Sequence, residues 1–346
     1  MNASAPASTA ALAPDVIPEG AFFFPVDTFT ETRHLGFLLL PQFTLLAFSS
    51  ALDPLRIANQ LSQKPLYRWS VLSETGAPVA SSSGIDVGVH GALTDLPRDM
   101  RLLVCSGNRG LQVASDAVLS ILRRHVRFGG KVGGICTGAS TLARAGLLGT
   151  RAFTLHWENQ PGFIEKFPDL APSPRRFEID GDLWTCGGGA AATEMMLSII
   201  RRDHGREFAI VVSDMCLNSG DLEPRTAQRS SLASALSTRN TRLIQIVQKM
   251  HQNIEDPLTL DDLSEETGLS RRQIERHFRQ FLNESPMTTY RNIRLDRART
   301  LFIETDMTVA EIAIACGFNS SGVFSRHYKE RFGASPSAHL RKLKQG

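Results

Sequence analysis

Two groups of residues in this 346-residue sequence have side chains and spacings suited to chemistry. The first is Gly134-Ile135-Cys136-Thr137-Gly138, which follows the apolar run Lys131–Ile135 and precedes a helical pattern. Gly-x-Cys-x-Gly at a strand-to-helix junction has the form of a nucleophile elbow, whose small residues permit a tight, strained turn. A thiol at the head of a helix is biased toward thiolate. The carboxyl ends of strands in an open α/β sheet are also where ligands bind. The second group is duplicated: Arg276–Pro286 matches Arg326–Pro336 at an offset of 50 residues. Upstream of each copy, a short helical pattern ends at Gly268 or Gly317, the residue type that enters left-handed backbone with least strain. Ser270 and Asn319 then stand where the next helix needs an N-cap. Helix, glycine turn and capped helix make a helix-turn-helix, here present twice.

Helical periodicity sorts the duplicated residues into two faces. Ile274 and Phe278 in the first copy, and Phe324, Tyr328 and Phe332 in the second, point inward. The outward residues are candidate DNA contacts: Arg271, Arg272, Glu275, Arg276 and Arg279, then Ser320, Ser321, Gly322, Ser325, Arg326 and Lys329. Arg can pair bidentately with guanine and Glu can accept from cytosine. Arg279, Lys329 and the arginines at 291, 294, 297 and 299 suit phosphates. Two such helices held about 34 Å apart reach successive major grooves.

These groups must be positioned by elements of two kinds. Between His34 and Asp203, apolar runs at Leu35–Leu40, Arg68–Leu72, Leu102–Cys105 and Lys131–Ile135 alternate with helical patterns at Leu45–Leu61, Val113–Phe128, Ala139–Leu147 and Ala190–Asp203. That alternation predicts a flavodoxin-like α/β domain with a parallel sheet, and Ile179–Leu183 reads as a hairpin turn late in it. After Thr241 only helical periodicity remains, which predicts an all-α double helix-turn-helix domain. The expected organisation is a disordered tail over 1–20, an α/β domain over 21–216, a linker over 217–240 and a DNA-binding domain over 241–340.

Composition narrows the function classes. Hydrophobic residues at 42% and charged residues at 21% describe a globular chain. From Arg239 onward there are 17 Lys/Arg against 13 Asp/Glu, while the preceding part has 21 against 22. The basic excess sits beside the helical repeat and points to a polyanion. Five scattered cysteines without a CxxC pair argue against a disulfide framework or structural zinc, and no cofactor is expected. No apolar run reaches the roughly 18 residues of a membrane span. The first 32 residues lack Lys and Arg, unlike a targeting peptide. A cytoplasmic location with no membrane partner is therefore expected.

The region from Arg239 to Leu340 resembles the AraC/XylS family of transcription regulators. The resemblance rests on Ile312-Ala313, Cys316-Gly317-Phe318, Phe324-Ser325-Arg326, Tyr328-Lys329 and Phe332–Pro336. His34–Cys216 resembles the PfpI-like, glutamine-amidotransferase-like superfamily through Cys136, Ser106-Gly107-Asn108, Thr154–Trp157 and the glycine-rich Cys186–Gly189 leading to Glu194. The two in this order are the arrangement of GlxA-type regulators, and the chain is also similar to members that respond to glycine betaine or carnitine. The resemblance implies a regulator, in the first instance an activator, with double-stranded DNA, a small-molecule effector and RNA polymerase as partners, acting as a homodimer. It places the effector among Gly107, Asn108, Cys136, Thr137, His156, Trp157, Gly188 and Glu194. Trp157 and Trp184 would shield an alkylammonium group and Glu194 would neutralise it. Hydrolytic members carry His after the nucleophile and an acid on the first helix; here those places hold Thr137 and the acid-free stretch Phe43–Leu46. An enzyme is therefore not expected, although two rivals stay open: a thiol-dependent amidase or glyoxalase-like enzyme, and a redox sensor at Cys136.

Overall fold

The computed structural model describes residues 15–26, 31–94, 96–218 and 240–345. The chain divides into two compact units, Met1–Gln228 and Arg229–Gly346.

The first unit is built on a seven-stranded sheet in the order β5-β2-β1-β6-β7-β9-β8. Its strands are β1 (Arg33–Leu39), β2 (Tyr67–Ser73), β5 (Gly91–Ala92), β6 (Arg101–Ser106), β7 (Lys131–Cys136), β8 (Phe177–Asp180) and β9 (Leu183–Cys186). All neighbours pair in parallel except β8, which folds back on β9 through the anticipated hairpin. A small separate pair, β3 (Val79–Ala80) and β4 (Asp86–Val87), lies outside this sheet. The continuous apolar runs of β1 and β6 reflect burial on both faces. Successive side chains alternate sides: Leu35, Phe37, Leu103 and Cys105 enter one core, and Leu38, Leu102 and Val104 enter the other. The first core takes residues of α1 (Leu45–Ser62), α5 (Ala191–His204) and α6 (Arg206–Met215). The second takes residues of α2 (Asp116–Arg127), α3 (Gly138–Arg144) and α4 (Gln160–Lys166).

Of the expected tail, residues 1–14 lie outside the described residues. Residues 15–20 differ from expectation, because they are tied to the sheet and to α1. Asp15 pairs with Arg68 at 2.7 Å, and the carbonyls of Val16 and Pro18 accept from Asn59 and Gln63 at 3.0 and 3.1 Å. Most of the expected linker, residues 219–239, also lies outside the described residues.

The second unit is helical: α7 (Thr241–Gln252), α8 (Leu260–Thr267), α9 (Arg271–Leu282), α10 (Pro286–Glu304), α11 (Val309–Ala315), α12 (Ser321–Phe332) and α13 (Pro336–Gln345). Helices α8–α9 and α11–α12 are the two helix-turn-helix pairs. Each pair has its own core. Leu243, Ile246, Leu263, Ile274, Phe278 and Tyr290 fill one; Leu295, Leu301, Phe302, Ile312, Phe324 and Tyr328 fill the other. Both glycines of the turns are left-handed, Gly268 at φ 66° and Gly317 at φ 68°. They differ in surroundings. A Cβ at Gly268 would meet nothing within 4 Å, whereas one at Gly317 would lie 2.6 Å from the Ile254 carbonyl oxygen.

This difference predicts unequal costs. Gly268→Ala should lose about 1–2 kcal/mol from left-handed backbone alone, and Gly317→Ala should lose clearly more. Thermal unfolding of the two variants checks this, and equal losses would show that the second turn does not press on the segment after α7.

Candidate functional site

The elbow forms as its glycines require. Cys136 ends β7, and its backbone is left-handed at φ 59°, an uncommon state for a residue with a Cβ. Such strain persists only where the surroundings over-determine it. Here β7 is held between β6 and β9, with Cys136 paired to Ser106 and Ile135 to Cys186. Four loops converge on this carboxyl edge. Thr137 Oγ1 donates to the Gly107 carbonyl at 2.7 Å. Asn108, which is exposed, donates its backbone N–H to the Gln42 carbonyl at 3.2 Å. The His156 N–H donates to the Cys136 carbonyl at 3.2 Å, and buried Thr154 anchors that segment by donating its backbone N–H to Thr185 Oγ1 at 2.9 Å. Gly188 backs onto the cysteine so closely that a Cβ there would lie 2.8 Å from Cys136 Cβ.

Cys136 itself is 6% exposed. The hydroxyl of Thr44, the residue before α1, donates to its Sγ at 3.5 Å. Thr44 was noted in the sequence only for not being an acid; its contact with the thiol was legible in no spacing, since 92 residues separate the two. His156 sits against Trp157 with ring centroids 5.4 Å apart. Burial lowers the pKa of His156 below the ordinary imidazole value, offset in part by Glu158 and by a hydrogen bond with Asn159. Trp157 is 38% exposed at this edge. Two other thiols of this unit are set in the core: burial raises Cys105 well above its usual range and pushes Cys186 up to about 12.

Two expectations for this edge change. Glu194 is buried and already paired with Arg176 at 2.9 Å, so an ammonium group at Glu194 has to compete with that guanidinium. Trp184 does not reach the elbow. It is fully buried near the amino end of β9, opposite Gly133, with the Arg101 guanidinium 3.6 Å from its ring centroid.

In the helical unit, α9 presents Arg272, Glu275, Arg276 and Arg279 on an exposed face that lines a groove of about 900 Å³. In α12 the residues Ser321, Gly322, Arg326 and Lys329 are exposed and Ser325 is half-buried. Several candidates have other duties. Arg271 forms a two-pronged ion pair with Asp261 on α8. Ser320, and not Asn319, caps α12, its Oγ accepting from the Val323 N–H at 3.5 Å. The arginines of α10 are only partly available for phosphates. Arg294 stacks on Phe318 at 4.1 Å, burial lowering its pKa, and Arg299 covers Phe332 at 5.2 Å.

With this geometry in view, residues 50–202 match the DJ-1/PfpI family and residues 263–342 match a helix-turn-helix domain family. The chain is 42% identical to the HTH-type transcriptional regulator CdhR of Pseudomonas aeruginosa, over 88% of this chain and 91% of that one. It is 39% identical to the HTH-type transcriptional regulator GlxA of Rhizobium meliloti, over 89% and 95%. A crystal structure of an AraC family transcriptional regulator from Pseudomonas putida is 28% identical and covers 53% of this chain and 98% of that chain, with a TM-score of 0.47.

The chain belongs to the GlxA-type AraC family of transcription regulators. As an AraC-type regulator it binds DNA through the helical unit and carries a PfpI-type sensing domain. Its relatives bear the names of regulators and not of enzymes. Among the described residues no helix is long and apolar enough to cross a membrane.

Within an AraC-type domain, the Arg271–Asp261 pair has a measurable consequence. Both residues are exposed, and an exposed ion pair contributes little. Asp261→Asn should free Arg271 for a phosphate, tighten DNA binding at low salt, and steepen the dependence of log affinity on log salt by about 0.9. A salt titration of DNA affinity reads this, and an unchanged slope would show that Arg271 faces away from the duplex.

Proposed function

We propose that this regulator is an effector-responsive activator. A small zwitterionic amine, of the amino-acid or quaternary-ammonium class, binds at the carboxyl edge of the sheet around Cys136, and its binding changes how the two helix-turn-helix pairs engage promoter DNA. Such coupling requires the effector to favour one arrangement of the protein over another. The protein acts in the cytoplasm as a homodimer, since paired sites multiply affinity, and it contacts RNA polymerase at the promoter.

The observation that carries the DNA half of this reading is the exposed face of α9. Its arginines and Glu275 stand free of the core on a helix whose opposite face buries Ile274 and Phe278. The effector half is supported by Arg176 and Glu194. Their pair stands beside the glycine-rich loop, where the Gly187 N–H donates to the Arg176 carbonyl at 2.9 Å. A zwitterion offers each partner its counter-charge: carboxylate to Arg176, ammonium to Glu194, with Trp157 available to an alkylated nitrogen. The Thr44 hydroxyl beside Cys136 favours this sensing role over turnover, because a hydroxyl does not serve as general base for a thiol.

Two measurements test the halves separately. On a selected operator, Arg276→Ala and Arg326→Ala should each cost about 1–3 kcal/mol of affinity, while equal weakening on random DNA would demote them to phosphate contacts. A thermal-shift screen of amino acids and quaternary amines on the full chain should find a stabilising compound, worth about 2.7 kcal/mol at a hundredfold excess over its dissociation constant. Cys136→Ser should keep that response. Loss of the response would favour the redox or thiol-enzyme rivals.

A further inference from the structure

The two helix-turn-helix pairs share one plan and depart from it at a single helix start. Three of their four helices close a capping box. In α8 and α11, Thr259 and Thr308 exchange hydrogen bonds with Asp262 and Glu311. In α9 the partner is Gln273, whose Oε1 accepts from the Ser270 N–H at 2.8 Å. Helix α12 has Val323 at that third position, so only the Ser320 half of the box remains. A β-branched apolar residue there gives up a hydrogen bond and is a weaker helix former than Gln. The core does not explain it. Phe324 and Tyr328 are fully buried, whereas Val323 is 42% exposed. By the 50-residue offset, Val323 occupies the place of Gln273 and Gly322 that of Arg272, while Arg326 matches Arg276.

Major-groove base edges offer donors, acceptors and one apolar group, the thymine C5-methyl. We propose that Val323 is a specificity-determining residue that reads a thymine methyl, next to the base addressed by Arg326. Gly322, without a side chain, lets the first turn of α12 approach the bases closely enough for the short valine to reach. The two pairs then read by different chemistry: α9 by hydrogen bonds from Arg and Glu, α12 by apolar contact plus one guanidinium. This rests on the DNA-binding reading above and adds to it which half-site must contain thymine and why.

The test uses the full chain and a duplex enriched by it from a random pool, with each thymine replaced in turn by deoxyuridine, which removes only the methyl. Wild-type protein should lose about three- to fivefold in affinity at one or two thymines of one half-site, the effect of one buried methyl. Val323→Ala should bind thymine and uracil duplexes equally at those positions. Val323→Gln, which rebuilds the box seen in α9, should keep the melting temperature and lose the thymine preference. An enriched sequence insensitive to uracil throughout, or equally sensitive in Val323→Ala, overturns this proposal alone. A pool that yields no enriched sequence overturns the DNA-binding reading and this proposal with it.

Discussion

Helix α10 belongs to two hydrophobic cores, and the geometry of the DNA-reading unit depends on that double membership. Its first half gives Tyr290 and Ile293 to the core of the first pair. Its second half gives Leu295, Ala298, Leu301 and Phe302 to the core of the second. At 1.5 Å per residue its 19 residues span about 28 Å. A single unbroken helix of that length is a rigid spacer, so the distance between α9 and α12 is set by backbone hydrogen bonds and not by a flexible joint. Contacts around the segment after α7 lock the angle. Tyr290 Oη donates to the Asn253 carbonyl and accepts from the Leu258 N–H. Gly317 closes on the Ile254 carbonyl from the other pair. Two recognition helices fixed this way can discriminate spacing as well as sequence.

Net charge overstates how much of this unit faces a polyanion. A guanidinium serves DNA only if its neighbours leave it available, and the neighbours differ. Arg294 lies half-buried on the Phe318 ring, where removal from water is compensated by the aromatic face. Taking it out would expose the ring and strip the second core of its cover. Arg331 is paired with Asp296 at 2.7 Å, which ties α12 to α10. Arg271 is also paired, but on an exposed surface where a phosphate can compete. Arg272, Arg276, Arg279 and Arg326 remain on open faces. The basic excess thus divides into arginines that build the scaffold and arginines that can meet a duplex.

This division explains what could be read from the residues alone. Periodicity identified β1, β2, β6 and β7 and the helices α1 and α5 within one or two residues, because burial on one or two faces imposes its period on the composition. It ran three residues beyond the start of α2 and the end of α3, and it did not single out α6. The duplicated pattern located both glycine turns for the same reason: left-handed backbone at a helix end leaves few residue choices. Pairings across distance left no such trace. The partners Arg176–Glu194, Arg271–Asp261 and Thr44–Cys136 are brought together by topology, and nothing in their spacing announces it. The cap at Ser320 was misplaced by one residue because Asn319 and Ser320 are both good caps. Short pieces such as β5, or the seven-residue α4, carry too few residues to show a period at all.

The elbow keeps its strained geometry while its chemical neighbours have changed. In a nucleophile elbow, strain exposes a sulfur or oxygen to an attacking trajectory and a base beside it removes the proton. Here the same turn leaves Cys136 with 6% exposure, packed against Gly188, and with a threonine hydroxyl as its side-chain neighbour. A hydroxyl can orient a thiol or a ligand, but its own proton is held too tightly to act as a base near neutral pH. What survives is the shape: four loop ends drawn together above a buried sheet, with the Arg176–Glu194 pair beside the glycine-rich loop and an exposed Trp157 next to His156. In the proposed sensing role, that combination binds a small charged molecule without transforming it. The energy of such binding is then available to bias a conformational equilibrium, which is what a regulator must do with it.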